Sequence, residues 1–82
     1  MKAHVYVTLK AGVLDAAGKA VLGGLHAMEY PEVESVRLGR FIEMELDDEL
    51  GPEEASTRVQ EMCDRLLANT VIEQYRIELV EG

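Results

Sequence analysis

The stretch CDRLLANTVIEQYRIEL, residues 63–79, joins a helix to a strand and so indicates the fold class. Its first half reads as the end of a helix, and Asn69 can adopt the left-handed conformation that often terminates a helix. From Gln74 onward polar and apolar residues alternate, which is the pattern of a strand with one buried face. The apolar side of this last predicted strand consists of Tyr75, Ile77 and Leu79.

Two further segments alternate in the same way. Residues 2–10 predict a first strand whose buried side carries Ala3, Val5, Val7 and Leu9. Residues 33–47 form a longer segment, and one side of it carries Val36, Leu38, Ile42, Met44 and Leu46. One long strand, which can bend at Gly39, explains the unbroken parity and is the favoured interpretation. A tight hairpin at Gly39-Arg40 is the alternative, because glycine suits the first central position of a two-residue turn.

Helices are predicted between these strands. In the first helix Val21, Leu25 and Met28 recur at helical spacing, Asp15 is suited to cap the N-terminus, and Pro31 marks the end. The second helix begins at Pro52, because proline suits the first helical position. Its apolar stripe comprises Ala55, Val59, Met62, Cys63 and Leu66.

The resulting order, β-α-β-α-β, predicts a single α+β domain over residues 1–82. We expect a two-layer sandwich in which both helices cover one face of an antiparallel or mixed sheet. The other face is then open, and its side chains are His4, Tyr6, Thr8, Arg37, Phe41, Glu43 and Arg76. A domain of this size has a small core, and self-association is a common way to bury more surface. We therefore expect a homo-oligomer, at least a dimer.

Charge and cysteine content exclude several classes of protein. The formal net charge is −8, from 16 acidic residues against 8 Lys and Arg, which argues against nucleic acid or an anionic membrane surface as a partner. Cys63 is the only cysteine, so no intrachain disulfide can form and a cytoplasmic location is expected. The sequence contains neither a signal-peptide pattern nor an apolar run long enough for a membrane span.

A search for catalytic, cofactor-binding or metal-binding residues finds none. The acidic run EMELDDELGPEE, residues 43–54, lacks the glycine and ligand spacing of a calcium-binding loop. His4 and His26 are far apart and have no cysteine or acid at metal-ligand spacing. Cys63 lies on the apolar stripe of a helix, where a packed thiol is expected rather than a nucleophile. No phosphate-binding glycine loop joins the first strand to the first helix.

Three segments together resemble the PurS family, the small subunit of bacterial and archaeal phosphoribosylformylglycinamidine (FGAM) synthase. They are VLDAAGKAV (13–21), VESVRLGRFIEMEL (33–46) and EMCDRLLANTVIEQYRIE (61–78), and with them the resemblance covers nearly the whole chain. The family usually has Pro-Gln where this chain has Ala16 and Ala17, and Pro where it has Thr70. These differences fall at turn or cap positions and concern local rigidity.

The resemblance implies a PurS-like fold, with some similarity to ferredoxin-like domains, and a role in de novo purine biosynthesis. It implies a non-catalytic assembly subunit that joins a glutaminase subunit (PurQ) to a large synthetase subunit (PurL) and supports ammonia transfer between them. ATP and Mg would be used by the synthetase subunit, and this chain would bind no cofactor itself. The alternative is a small-molecule-binding regulatory domain of the ACT kind, which has a related α+β architecture.

Arg40 departs from the pattern of its strand. It shares parity with Ile42 and Met44, which the alternation predicts to face the core, where an unpaired guanidinium would be costly. Three arrangements would avoid this cost. A bend or bulge in the strand can turn Arg40 outward, or its aliphatic stem can extend along apolar surface to solvent. Alternatively, its guanidinium can donate to carboxylates or carbonyls of another subunit. We expect a subunit contact at 39–41. The predicted interface residues are His4, Tyr6, Arg37, Gly39, Arg40, Phe41 and Arg76.

Overall fold

The computed structural model describes residues 1–81 and has the predicted α+β architecture. Its elements are β1 (Lys2–Leu9), α1 (Ala16–Ala27), β2 (Gly39–Glu45), α2 (Pro52–Met62), a π-helical turn (Cys63–Leu67) and β3 (Glu73–Val80). The order β-α-β-α-β is therefore confirmed. The last helical turn differs from the α-helix that the sequence predicts, and this difference has consequences for the surface.

The three strands form one antiparallel sheet in the order β2-β1-β3. In β1 the side chains of Ala3, Val5 and Val7 are at most 1% exposed, as their alternation predicts. Val5 pairs with Ile42 on one side and Ile77 on the other, so that one face of the sheet is continuously apolar. The first strand in sequence is thus the central strand and carries the core.

Helix α2 covers this apolar face. Ala55, Val59 and Cys63 are fully buried, and the last two join the core cluster formed with β1. Pro52 occupies the first turn, as predicted, where its missing N–H costs nothing. Glu53 and Glu54 follow in the same turn, near the positive end of the helix dipole.

The π-helical turn changes which leucine faces the core. The N–H of Ala68 donates to the carbonyl of Cys63 at 3.0 Å, five residues back, so this turn holds one residue more than an α-helical turn. Leu67 consequently packs against the core, whereas Leu66 is 83% exposed. The predicted stripe is therefore correct as far as Cys63 and wrong at Leu66.

Helix α1 lies away from the sheet, in contrast to the predicted placement of both helices on one face. It belongs to an arm, residues 11–38, that is held by hydrogen bonds between α1 and the segment 33–38 rather than by packing on strands. The molecule measures 50 × 29 × 14 Å, and its radius of gyration is 16.1 Å. A compact chain of this length would have about 12 Å. The arm therefore leaves the predicted apolar positions Val21 and Met28 exposed.

Asp15 fixes the start of α1 and the end of the arm together. One of its carboxylate oxygens accepts from the N–H of Gly18, which caps the helix as predicted, and the other accepts from the N–H of Leu38, both at 2.9 Å. At the other end α1 stops at Ala27, before Pro31. Glu29 adopts a φ of 72° there, and the N–H of Tyr30 donates to the carbonyl of Leu25 to close the helix end.

The second strand is shorter than the predicted segment of residues 33–47. Sheet pairing begins at Gly39, opposite Thr8, and residues 33–38 have no strand partner within the described chain. No hairpin occurs at Gly39-Arg40, since both residues pair with β1 in one continuous register. A hairpin would have produced the βαββαβ order of ferredoxin-like folds, whereas the observed sheet has three strands. A Cβ at Gly39 would clash with the carbonyl oxygen of Val7, which explains a glycine at this close approach.

Candidate interaction surfaces

The open face of the sheet carries a cluster, here called the aromatic cluster, that consists of His4, Tyr6, Phe41 and Arg76. Tyr6 pairs across the strands with Phe41 on one side and Arg76 on the other. The guanidinium carbon of Arg76 lies 4.1 Å from the centre of the Tyr6 ring, a cation–π contact. Phe41 contacts both His4 and Tyr6 at centroid distances of 5.1 and 5.2 Å and remains 55% exposed.

Two carboxylates flank this cluster. The Nε2 atom of His4 lies 3.0 Å from Glu43, and its Nδ1 atom lies 3.4 Å from Glu78, which also accepts from the Tyr6 hydroxyl. The cluster therefore combines aromatic rings with an arginine, residue types that are enriched in protein–protein interfaces.

Arg40 takes partners within its own chain. The aliphatic part of its side chain starts on the core side of the sheet, as its parity predicts. Its guanidinium reaches the exposed edge of the molecule. There it donates to both carboxylate oxygens of Glu73, at 2.9 and 3.2 Å, and to the carbonyl of Leu67 at 2.7 Å. The backbone N–H of Asn69 together with Arg40 holds the pKa of Glu73 below its usual value. This pairing satisfies the guanidinium without a second subunit, and an interface role for Arg40 and Gly39 stays a prediction.

Arg37 lies apart from the aromatic cluster, in a cleft of about 520 Å³ between α1 and the segment 33–38. Its guanidinium donates to the carbonyl of Leu9, which ties the arm to the end of β1. Lys10, Lys19 and the carboxylate of Asp15 also line this cleft. The Leu38 and Gly18 N–H groups, with a smaller contribution from Arg37, hold the pKa of Asp15 below its usual value. The seven predicted interface residues therefore lie in three places. Four of them form the aromatic cluster, Gly39 and Arg40 lie at the start of β2, and Arg37 lies in this cleft.

Two titratable side chains beside the core, Cys63 and Tyr75, have raised pKa values. Cys63 is fully buried, and burial, with the nearby Asp64 carboxylate, raises the pKa of its thiol, so that it rests in the unreactive protonated form. Tyr75 donates to Asp64 at 2.8 Å, and burial followed by this contact raises the pKa of its hydroxyl. Residues 1–81 contain no group of three metal-ligating side chains and no helix with the length and apolar character to cross a bilayer.

Sequence reasoning missed two features of the surface. The first is the second contact of Asp15, because a capping residue carries no signal for a partner 23 positions away. The second is the exposure of Leu66 and Val71, which are 83% and 81% exposed near the end of the second helix. An α-helical period places Leu66 inside, and only the extra residue in the π-helical turn moves it out.

Comparison with known proteins identifies relatives along the whole chain. The family model "PurS: Phosphoribosylformylglycinamidine (FGAM) synthase" matches residues 2–81. The phosphoribosylformylglycinamidine synthase subunit PurS of Bacillus subtilis is 51% identical over 98% of this chain and 93% of its own length. The crystal structure of B. subtilis PurS aligns with a TM-score of 0.85 at 48% identity and covers 98% of both chains. A chain from the structure of PurLQS from Thermotoga maritima aligns with a TM-score of 0.78 at 28% identity, over 94% of this chain and 93% of the other. This chain therefore belongs to the PurS family of FGAM synthase subunits.

Proposed function

We propose that this chain is the non-catalytic assembly subunit of an FGAM synthase complex. The observation that carries the proposal is the match, over 94% of the chain, to a protein solved as part of the assembly named PurLQS. The exposure of large apolar side chains such as Phe41 and Leu66, together with the burial of the one thiol, supports such a role. The comparisons give no support to the ACT-like alternative.

In this proposal the complex converts formylglycinamide ribonucleotide, ATP, glutamine and water to FGAM, ADP, phosphate and glutamate. The glutaminase subunit, PurQ, releases ammonia, and the synthetase subunit, PurL, uses ATP with Mg to activate the amide oxygen that ammonia displaces. This chain supplies surfaces that hold the two subunits together so that ammonia passes between them. It binds neither ATP nor Mg itself, and the complex works in the cytoplasm.

Self-association is part of the same proposal. The arm presents apolar side chains that its own sheet does not cover, among them Leu14, Met28 and Tyr30, which are 67%, 66% and 45% exposed. Within residues 1–81, segment 33–38 beside them has backbone groups without strand partners. A second copy that covers the arm would bury both features, and it would give a small domain the additional core that it lacks.

Reconstitution tests the proposal. The chain is mixed with the PurL and PurQ subunits of the same organism, and FGAM formation is measured with glutamine and, separately, with ammonium as the nitrogen source. Omission of the chain should abolish or strongly reduce the glutamine-dependent rate, while the ammonium-dependent rate of the synthetase should persist. Equal glutamine-dependent rates with and without the chain would refute the proposal.

A further inference from the structure

The outer side of α2 and the π-helical turn carries a second surface, here called the helix patch. It consists of Arg58, Glu61, Met62, Arg65 and Leu66, which border a groove of about 370 Å³. The patch lies on the layer opposite the aromatic cluster and outside the arm. Leu66 is its most exposed apolar member, and it is exposed only because the turn from Cys63 holds one residue too many for an α-helix. Single π-helical turns of this kind occur frequently at functional sites.

Two arginines of the helix patch are free to pair with another molecule. Their spacing predicts i,i+4 ion pairs, Glu54 with Arg58 and Glu61 with Arg65. Neither pair forms in the described residues, where no carboxylate lies within 4.0 Å of these two guanidinium groups. A chain with a net charge of −8 thus exposes two unpaired guanidinium groups beside an exposed leucine.

We propose that the helix patch docks a segment of one of the two larger subunits in which carboxylates flank an apolar side chain. This inference rests on the proposed function. Arginine is suited to the role because its planar fork binds a carboxylate with two parallel hydrogen bonds, and arginine is enriched among residues that dominate interface energies. Leu66 and Met62 line the same groove and supply the apolar contact beside the two charges. The two arginines outnumber the one carboxylate of the patch, Glu61, so charge complementarity selects an acidic partner segment.

Binding measurements with matched variants test this assignment. The full-length chain is titrated against PurL, against PurQ and against both together, and the self-association of each variant is followed by sedimentation. Arg58→Gln and Arg65→Gln each remove one positive charge from the patch. Ser56→Asp is the matched control, since it changes the net charge by the same single unit at an exposed position of α2. Positions two residues apart do not face each other on a helix, so Ser56 lies outside the surface of Arg58. Leu66→Ala is matched with Leu66→Met, which retains an apolar side chain.

Loss of one patch residue should weaken binding to one larger subunit by about 30-fold or more, the range of an interface hot spot. Ser56→Asp and Leu66→Met should bind within about twofold of the wild type, and self-association should be unchanged throughout. The assignment is wrong if the patch variants bind as tightly as Ser56→Asp. It is also wrong if they lose self-association while binding to the larger subunits is retained, because the patch would then cover a second copy. Failure of the wild-type chain to bind either subunit would remove the proposed function, and this inference with it.

Discussion

Two adjacent leucines should differ in the cost of truncation, because the π-helical turn places one inside and one outside. Leu67 is half-buried and packs against the core, whereas Leu66 is 83% exposed. Leu→Ala at a fully buried site costs about 2–5 kcal/mol. A half-buried leucine loses roughly half of that contact, so we expect Leu67→Ala to lower the free energy of unfolding by about 1–2.5 kcal/mol. Leu66→Ala should change it by less than about 0.5 kcal/mol.

Thermal unfolding, followed by circular dichroism at one fixed protein concentration, measures this difference. For a domain of this size 1 kcal/mol corresponds to a shift in Tm of about 4–8 °C. Leu67→Ala should therefore lower Tm by roughly 4–20 °C, and Leu66→Ala by less than about 4 °C. A fixed concentration is needed because the Tm of an oligomer depends on it. A larger loss for Leu66→Ala than for Leu67→Ala would mean that the helix continues in α-helical phase and that our account of this turn is wrong.

Three further outcomes are expected. Asp15 and Glu73 have lowered pKa values in the folded chain, so the stability they contribute is complete above the unfolded carboxyl pKa, near pH 4, and is lost as pH falls through the folded values. Asp15→Asn and Glu73→Gln should therefore reduce the fall in Tm that acidification below about pH 4 causes. An unchanged fall in Tm would contradict the lowered pKa values of the two carboxyls. Cys63 should react with a thiol reagent only as fast as the chain unfolds, because it is buried and its pKa is raised; rapid labelling of the folded chain would count against this. Sedimentation at micromolar concentration should give a species larger than the monomer, and Met28→Asp should shift it toward the monomer; a wild-type monomer would refute the prediction.

The parts of the fold that depend on local alternation could be predicted from sequence. The inward parity of Val5 and Val7 and the outward parity of Tyr6 follow from the two-residue period of a strand, and the structure has all three as predicted. The position of α1 could not be predicted in this way. Its apolar stripe predicts that Val21 and Met28 pack against another element. It does not reveal that the sheet of the same chain leaves both residues exposed.

The candidate surfaces were predictable to different degrees. Parity brings the four residues of the aromatic cluster onto one face, although their contacts depend on the sheet order, which sets Tyr6 between Phe41 and Arg76. The parity of Arg40 marks it as unusual, but its partner Glu73 is distant in sequence and meets it only through the sheet. The helix patch depends on one backbone hydrogen bond from Ala68 to Cys63, for which side-chain periodicity carries no signal.

The central position of β1 has a consequence for how the protein is made. Its neighbours β2 and β3 both follow it in the chain, and Lys2 pairs with Val80. During translation at least one edge of β1 therefore remains unpaired until β3 has left the ribosome. Pairing between residues so distant in sequence is also slow. The aromatic cluster draws Tyr6, Phe41 and Arg76 from the three strands, so it exists only in chains that have been synthesised through β3. A prematurely terminated chain lacks this surface and cannot enter an assembly through it.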